Sequence, residues 1–181
     1  MALRQRNRVP EVKVIRIAVF ASLWLFPVGL RAQTATSIIS VGTCDESLWK
    51  HVYHRERLKI VKQCFIVTGT IVDATKGRNK DGARHEADGD SHNWLRLDPG
   101  QDSVLLPGNI EAQAGNLVFE LICRYKVTQK DAIEACKDFK SKVLLPYVGT
   151  HVRIVGALIE DLDHQPIHRE IHPVTSIEVI P

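Results

Sequence analysis

Three groups of residues in this 181-residue chain have types and spacings that could do chemistry. The first is Asp88-Gly89-Asp90-Ser91-His92, with His85 and Glu86 just ahead of it. Carboxylates at alternate positions suit Ca²⁺ or Mg²⁺, and the imidazoles suit Zn²⁺ or a later transition metal. The same residues also suit an acidic hairpin turn whose Asp side chains accept backbone N–H groups. The full EF-hand spacing is absent. The second group is Trp94, Arg96, Glu120, Glu170 and His172, one aromatic, one cation, two carboxylates and one imidazole. The third is His164, His168 and His172, spaced at four. A helix would align them, but Pro166 and Pro173 oppose a helix there. On a strand His168, Glu170 and His172 share one side, which gives either a surface metal site or solvated polar positions. No nucleophile motif is present: there is no G-x-S-x-G, no Walker sequence and no H-E-x-x-H.

The compartment follows from the first residues and the cysteines. Arg4, Arg6, Arg8, Lys13 and Arg16 precede 14 uncharged residues, Ile17 to Leu30. That run matches the apolar core of a signal peptide and is shorter than the roughly 20 residues of a membrane span. Residues 1–32 therefore read as an export signal, with an uncleaved N-terminal anchor as the alternative, and the mature chain carries no expected span. Beyond residue 32 there are 18 basic and 20 acidic side chains, a balance near −2. Such a body lacks the cation excess that phosphate neutralisation requires, so nucleic acid is a disfavoured partner. All four cysteines, Cys44, Cys64, Cys123 and Cys136, fall in the body. An even count in an oxidising compartment predicts two disulfides, and short loops favour Cys44–Cys64 with Cys123–Cys136.

The elements that must position these residues are mainly β. Residues 33–60 read as a leader and a short N-terminal helix near 45–53, with Thr43 and Glu46 at capping-box spacing. Val61–Val72 is β-branched and reads as strand one, bent at Gly69. Residues 73–90 read as a long exposed loop. His92–Asp98 is strand two, with Leu95 and Leu97 on one face and Trp94 and Arg96 on the other. A short strand is expected at Val104–Leu106, and Asn116–Cys123 is strand three. Ala132, Ile133, Cys136, Phe139 and Val143 recur at helical spacing and predict a helix over 129–143. His151–Glu160 and Glu170–Val179 are strands four and five. This order predicts, over residues 61–181, a five-stranded OB-like Greek-key barrel with a helix between strands three and four. Its rivals are another small barrel and an open α+β sheet. On that barrel Leu117, Phe119, Leu121 and Ile171 point inward. Trp94, Arg96, Glu120, Glu170 and His172 then share the outer face, where Arg96 could pair with Glu120 and Trp94 could cover the sheet.

The Asp88–His92 run followed by Leu95-Arg96-Leu97-Asp98, together with Glu170-Ile171-His172-Pro173-Val174, resembles a family of exported, OB-like bacterial proteins. The resemblance extends from about Cys44 to Ile177, includes the four cysteines, and implies no particular activity. Where such proteins often carry a Gly-aromatic pair, this chain has Pro166-Ile167-His168-Arg169. Asp88-Gly89-Asp90 is also similar to the metal-binding turn of staphylococcal-nuclease-like OB enzymes, but their downstream Arg and Asp-x-Pro-Glu segment have no counterpart here. The expected function is a non-enzymatic, periplasmic or secreted binding module without cofactor. Its ligand would be an oligosaccharide, peptide or envelope polymer, with Trp94 as a stacking surface. The alternative is a metal-dependent, nuclease-like hydrolase using Asp88, Asp90, Glu170 and His172, in which a bound divalent ion lowers the pKa of its water.

Overall fold

The computed structural model describes residues 43–181, so the expected signal at 1–32 and the leader up to residue 42 lie outside the described residues. The described chain is mainly β. Six strands form one mixed sheet: β1 (Leu58–Val72), β2 (Arg84–His85), β3 (Ser91–Leu97), β4 (Leu117–Leu121), β5 (His151–Asp161) and β6 (His168–Val179). The order is β1-β5-β6-β4-β3-β2, and β1 also pairs with β3, so the sheet is partly closed into a ring. All pairings are antiparallel except β4 with β6.

The sequence explains how β1 serves two neighbours. Its stretch from Gly69 to Val72 pairs with β3, while Leu58–Thr70 pairs with β5. At Gly69 a Cβ would lie 2.3 Å from the Arg96 carbonyl oxygen, so only glycine lets the two backbones approach. Inside the ring, alternate residues supply the core: Val67 and Ile71 from β1, Leu95 from β3, Leu117, Phe119 and Leu121 from β4, and Ile154, Leu158 and Ile171 from β5 and β6. A second apolar group lies on the outer side of β5, where Ala157 and Ile159 meet Trp49 and Val52. Every residue of β4 is buried, on both faces. This double burial puts Glu120 in an interior that one-sided alternation would not give it.

Both expected disulfides form, Cys44–Cys64 and Cys123–Cys136, each with Cα atoms 5.4 Å apart. The helix expected over 129–143 is absent. A 3₁₀ turn at Lys130–Ala132 replaces it, followed by i→i+3 bonds from the amides of Ala135, Lys137 and Phe139. Asp138 has φ 57°, which ends any helical run, and Ile133 is half exposed, so the periodic residues do not make a buried stripe. The short N-terminal helix is a 3₁₀ helix, Glu46–His51, capped by Asp45 rather than Thr43. The strand expected at Val104–Leu106 is instead a 3₁₀ turn leading to α1 (Pro107–Ala112). Pro107 takes the first helical position, where a missing N–H is harmless. The segment 73–90 is not simply an exposed loop: it contains β2 and buries Ala74, Thr75, Ala83 and Asp90. Among the described residues no helix is long and apolar enough to cross a membrane.

Candidate functional site

Because Phe119, Leu121 and Ile171 face the core, their neighbours Glu120, Glu170 and His172 face outward from β4 and β6. His92 stands opposite Glu120 in the β3–β4 register. Two backbone segments cover this face. The Glu86–Asp90 turn closes on itself through Gly89 N–H to the Glu86 carbonyl. It is tied to the irregular segment 125–129 that follows β4 by bonds from Tyr125 N–H to Gly89 and from Thr128 and Gln129 N–H to Ala87. Gly89 has φ 95°, and a Cβ there would meet Val127 at 2.9 Å. The cover is therefore built on a position that demands glycine.

Beneath it lies a buried line of alternating imidazoles and carboxylates. His92 Nδ1 is 3.0 Å from Glu120 Oε1. His172 Nδ1 is 2.9 Å from Glu120 Oε2 and 3.4 Å from Glu170 Oε2, while its Nε2 is 3.6 Å from Asp90 Oδ2. His168 Nε2 is 3.1 Å from Glu170 Oε1. The outer end is fixed by Gln113, whose Oε1 accepts from the Trp94 indole N–H at 2.9 Å and sits 3.2 Å from His92 Nε2. Asp90 Oδ1 accepts the Cys123 N–H at 2.7 Å. Asp90, Glu120, Glu170, His168 and His172 are each less than one-tenth exposed.

The charges sort by neighbour. Burial opposes charge on His172, yet the adjacent Glu120 and Glu170 carboxylates outweigh it and hold the imidazole well above its ordinary range. Burial likewise opposes charge on Glu120, and His172 and His92 outweigh it, so this carboxylate sits well below its usual value. For Glu170, burial and the Glu120 charge act upward, but His168 and His172 bring the net direction down. Asp90 goes the other way: burial, with Asp88 and Glu120 nearby, raises it well above the carboxylate range. Burial also raises Asp88, whose Oδ1 accepts the Asp90 N–H, as in the acidic-turn reading.

A cavity of about 840 Å³ opens on this face, with His92, Glu120 and Asp88 among the residues that line it. Its walls come from both sides, with Arg57, Arg78 and Arg84 among the cations and Glu86, Asp161 and Asp163 among the acids. Arg57 pairs with Asp161, and His164 Nδ1 is 3.0 Å from the same carboxylate. Burial opposes charge on Asp161, but His164 and Arg57 lower it, and Asp161 in turn raises His164.

Two of the expected groups are thus one. The structure joins Asp90 and His92 of the acidic turn to Glu120, Glu170 and His172 of the outer patch. It also buries His168 and His172, which corrects their reading as solvated residues. Arg96 is exposed, opposite Thr70 and outside the cluster, so it does not pair with Glu120, which faces His92 and His172 instead. Trp94 is 9% exposed, packs on Val118 and Ala74, and lies outside the cavity lining, so it covers the sheet rather than offering a stacking face. His85 is exposed and bonds Asp81, apart from the cluster. Gln113 and the wall residues Arg57, Arg78 and Arg84 were not expected. They come from separate places along the chain, Arg84 from β2 and the others from turns and connections, and only the fold brings them together, whereas the His-x-Glu-x-His alternation of residues 168–172 was visible in the chain. No family model matches the chain, and comparison with curated proteins and with solved structures finds no match.

Proposed function

We propose that this protein is an exported, non-enzymatic module that binds an oligosaccharide in the cavity above β3 and β4, on a five-stranded OB-like Greek-key barrel. The ring β1-β3-β4-β6-β5 with its one parallel pairing supports that architecture, and both disulfides suit an oxidising extracytoplasmic compartment. The observation that carries the ligand reading is the cavity, whose volume suits a ligand of a few sugar rings. Its walls mix donors and acceptors: three arginines face five carboxylates. That balance disfavours a polyanion and suits hydroxyl groups, which both donate and accept. Tyr53 and His54, stacked at 4.0 Å, bring ring faces to the same walls.

The test is a panel of immobilised oligosaccharides probed with the wild-type protein and with Ala87→Trp. Ala87 is exposed and lines the cavity, so the indole obstructs it without entering the core. Retention of wild type on particular glycans, lost in Ala87→Trp, is the expected result. Retention unchanged by the substitution, or no retention on any glycan, overturns the reading.

A further inference from the structure

We propose that Asp90, Glu120 and His172 together bind one divalent ion of the zinc or manganese class. The proposal is independent of the oligosaccharide reading. The three residues come from the start of β3, from β4 and from β6, and offer ligand atoms that all lie within 4.8 Å of one another.

Two of the three, His172 and Asp90, have buried atoms that the protein itself leaves without a partner. His172 is wholly buried, and neither of its ring nitrogens has a hydrogen-bond partner: the carboxylates lie at ion-pair distance but off the hydrogen-bond direction. Asp90 spends Oδ1 on the Cys123 N–H, and its buried Oδ2 has no partner. Leaving such buried groups unsatisfied is unfavourable, the more so when they are charged. An ion faced by all three would satisfy Asp90 Oδ2 and one ring nitrogen of His172. The 3.6 Å between His172 Nε2 and Asp90 Oδ2 is close to the roughly 3.4 Å that separates two ligands bound at about 2.1 Å around a tetrahedral ion.

The surroundings are those of a held ligand. Glu120 Oε1 is oriented by His92, His92 by Gln113, and Gln113 by the Trp94 indole. Outer partners of this kind fix ligand orientation at metal sites. One nitrogen and two carboxylates suit Zn²⁺ or Mn²⁺, whereas Ca²⁺ takes six to eight oxygens. Cys123 and Cys136 lie beside Asp90 but are joined in a disulfide and offer no thiolate.

The experiment is calorimetric titration of the chelator-treated full chain, disulfides intact, with Zn²⁺ and separately with Mn²⁺. One saturable site per chain is expected. Asp90→Asn keeps the side-chain shape and the acceptor for Cys123, and should weaken binding by more than the roughly 10–100-fold typical of losing an outer partner. A His85→Ala/His164→Ala double variant, which removes exposed imidazoles, should bind as wild type does. No saturable binding, unchanged binding in natively folded Asp90→Asn, or binding lost only in the double variant overturns the proposal. A readout needing no substitution is paramagnetic broadening by Mn²⁺. The His172 ring signals should vanish at substoichiometric ion while those of His151 persist, and the reverse order contradicts the site.

Discussion

Glu120→Gln tests the electrostatics of the cluster. The substitution preserves shape and volume but removes the charge that His172 and His92 face at 2.9 and 3.0 Å. Glu120 is only 7% exposed and His172 is fully buried, so water does little to replace the lost partner. Breaking a buried pair by removing one member destabilises by about 3–5 kcal/mol, and the lower end applies here because Glu170 still faces His172 at 3.4 Å. At a urea m-value of about 2 kcal/mol/M, about 3 kcal/mol moves the unfolding midpoint down by about 1.5 M. The control is Glu178→Gln, which breaks the more exposed Arg153–Glu178 pair and should cost about 1 kcal/mol or less. Both are measured on chelator-treated protein by urea titration followed by circular dichroism. If Glu120→Gln costs no more than Glu178→Gln, Glu120 is not the counter-charge of a buried imidazolium and the reasoning fails.

Two further predictions concern the fold and the cavity wall. Gly69→Ala places a methyl group against the Arg96 carbonyl oxygen, where β1 and β3 meet, so the ring must open locally. A loss of about 1–3 kcal/mol is expected, with faster hydrogen exchange at the β1–β3 amides; a neutral substitution contradicts the close approach. His164 is raised chiefly by its bond to Asp161, with burial and Arg57 acting against this and Glu170 acting with it. A raised imidazole contributes its stability fully below its ordinary value of 6.5 and loses it as pH rises through the folded value. With its side chain 57% exposed, His164 contributes about 1 kcal/mol at most. The destabilisation by His164→Ala should therefore be present at pH 5.5 and absent at pH 9; equal losses at both pH values contradict the assignment.

Much of the fold was legible because its signals are local. The β-branched run Val61–Val72 and the alternation in HNWLRLD follow from side chains that must face one core, and the observed strands β1 and β3 contain nearly all of both. The cysteine pairing was legible because each pair closes a short loop. Period misled at 129–143, where apolar residues recur at helical spacing but i→i+3 turns and a left-handed Asp138 divide them. Pro107-Gly108 is a pair typical of turns and yet begins a helix here. The candidate site was half legible. Alternation put Glu120, Glu170 and His172 on one outer face, but an outer face is ordinarily wet. What buries it is the Glu86–Asp90 turn bonded to residues 125–129, a tertiary contact that no local pattern encodes. The same cover brings Asp90 to His172 and leaves Arg96 outside.

The most direct measurement of the central claim, that distant acids and imidazoles converge under one cover, is a crystal structure of the protein soaked in Mn²⁺, read by anomalous scattering. The account predicts one strong peak bounded by Asp90, Glu120 and His172. Peaks confined to exposed histidines, with those three side chains pointing to separate places, would contradict it.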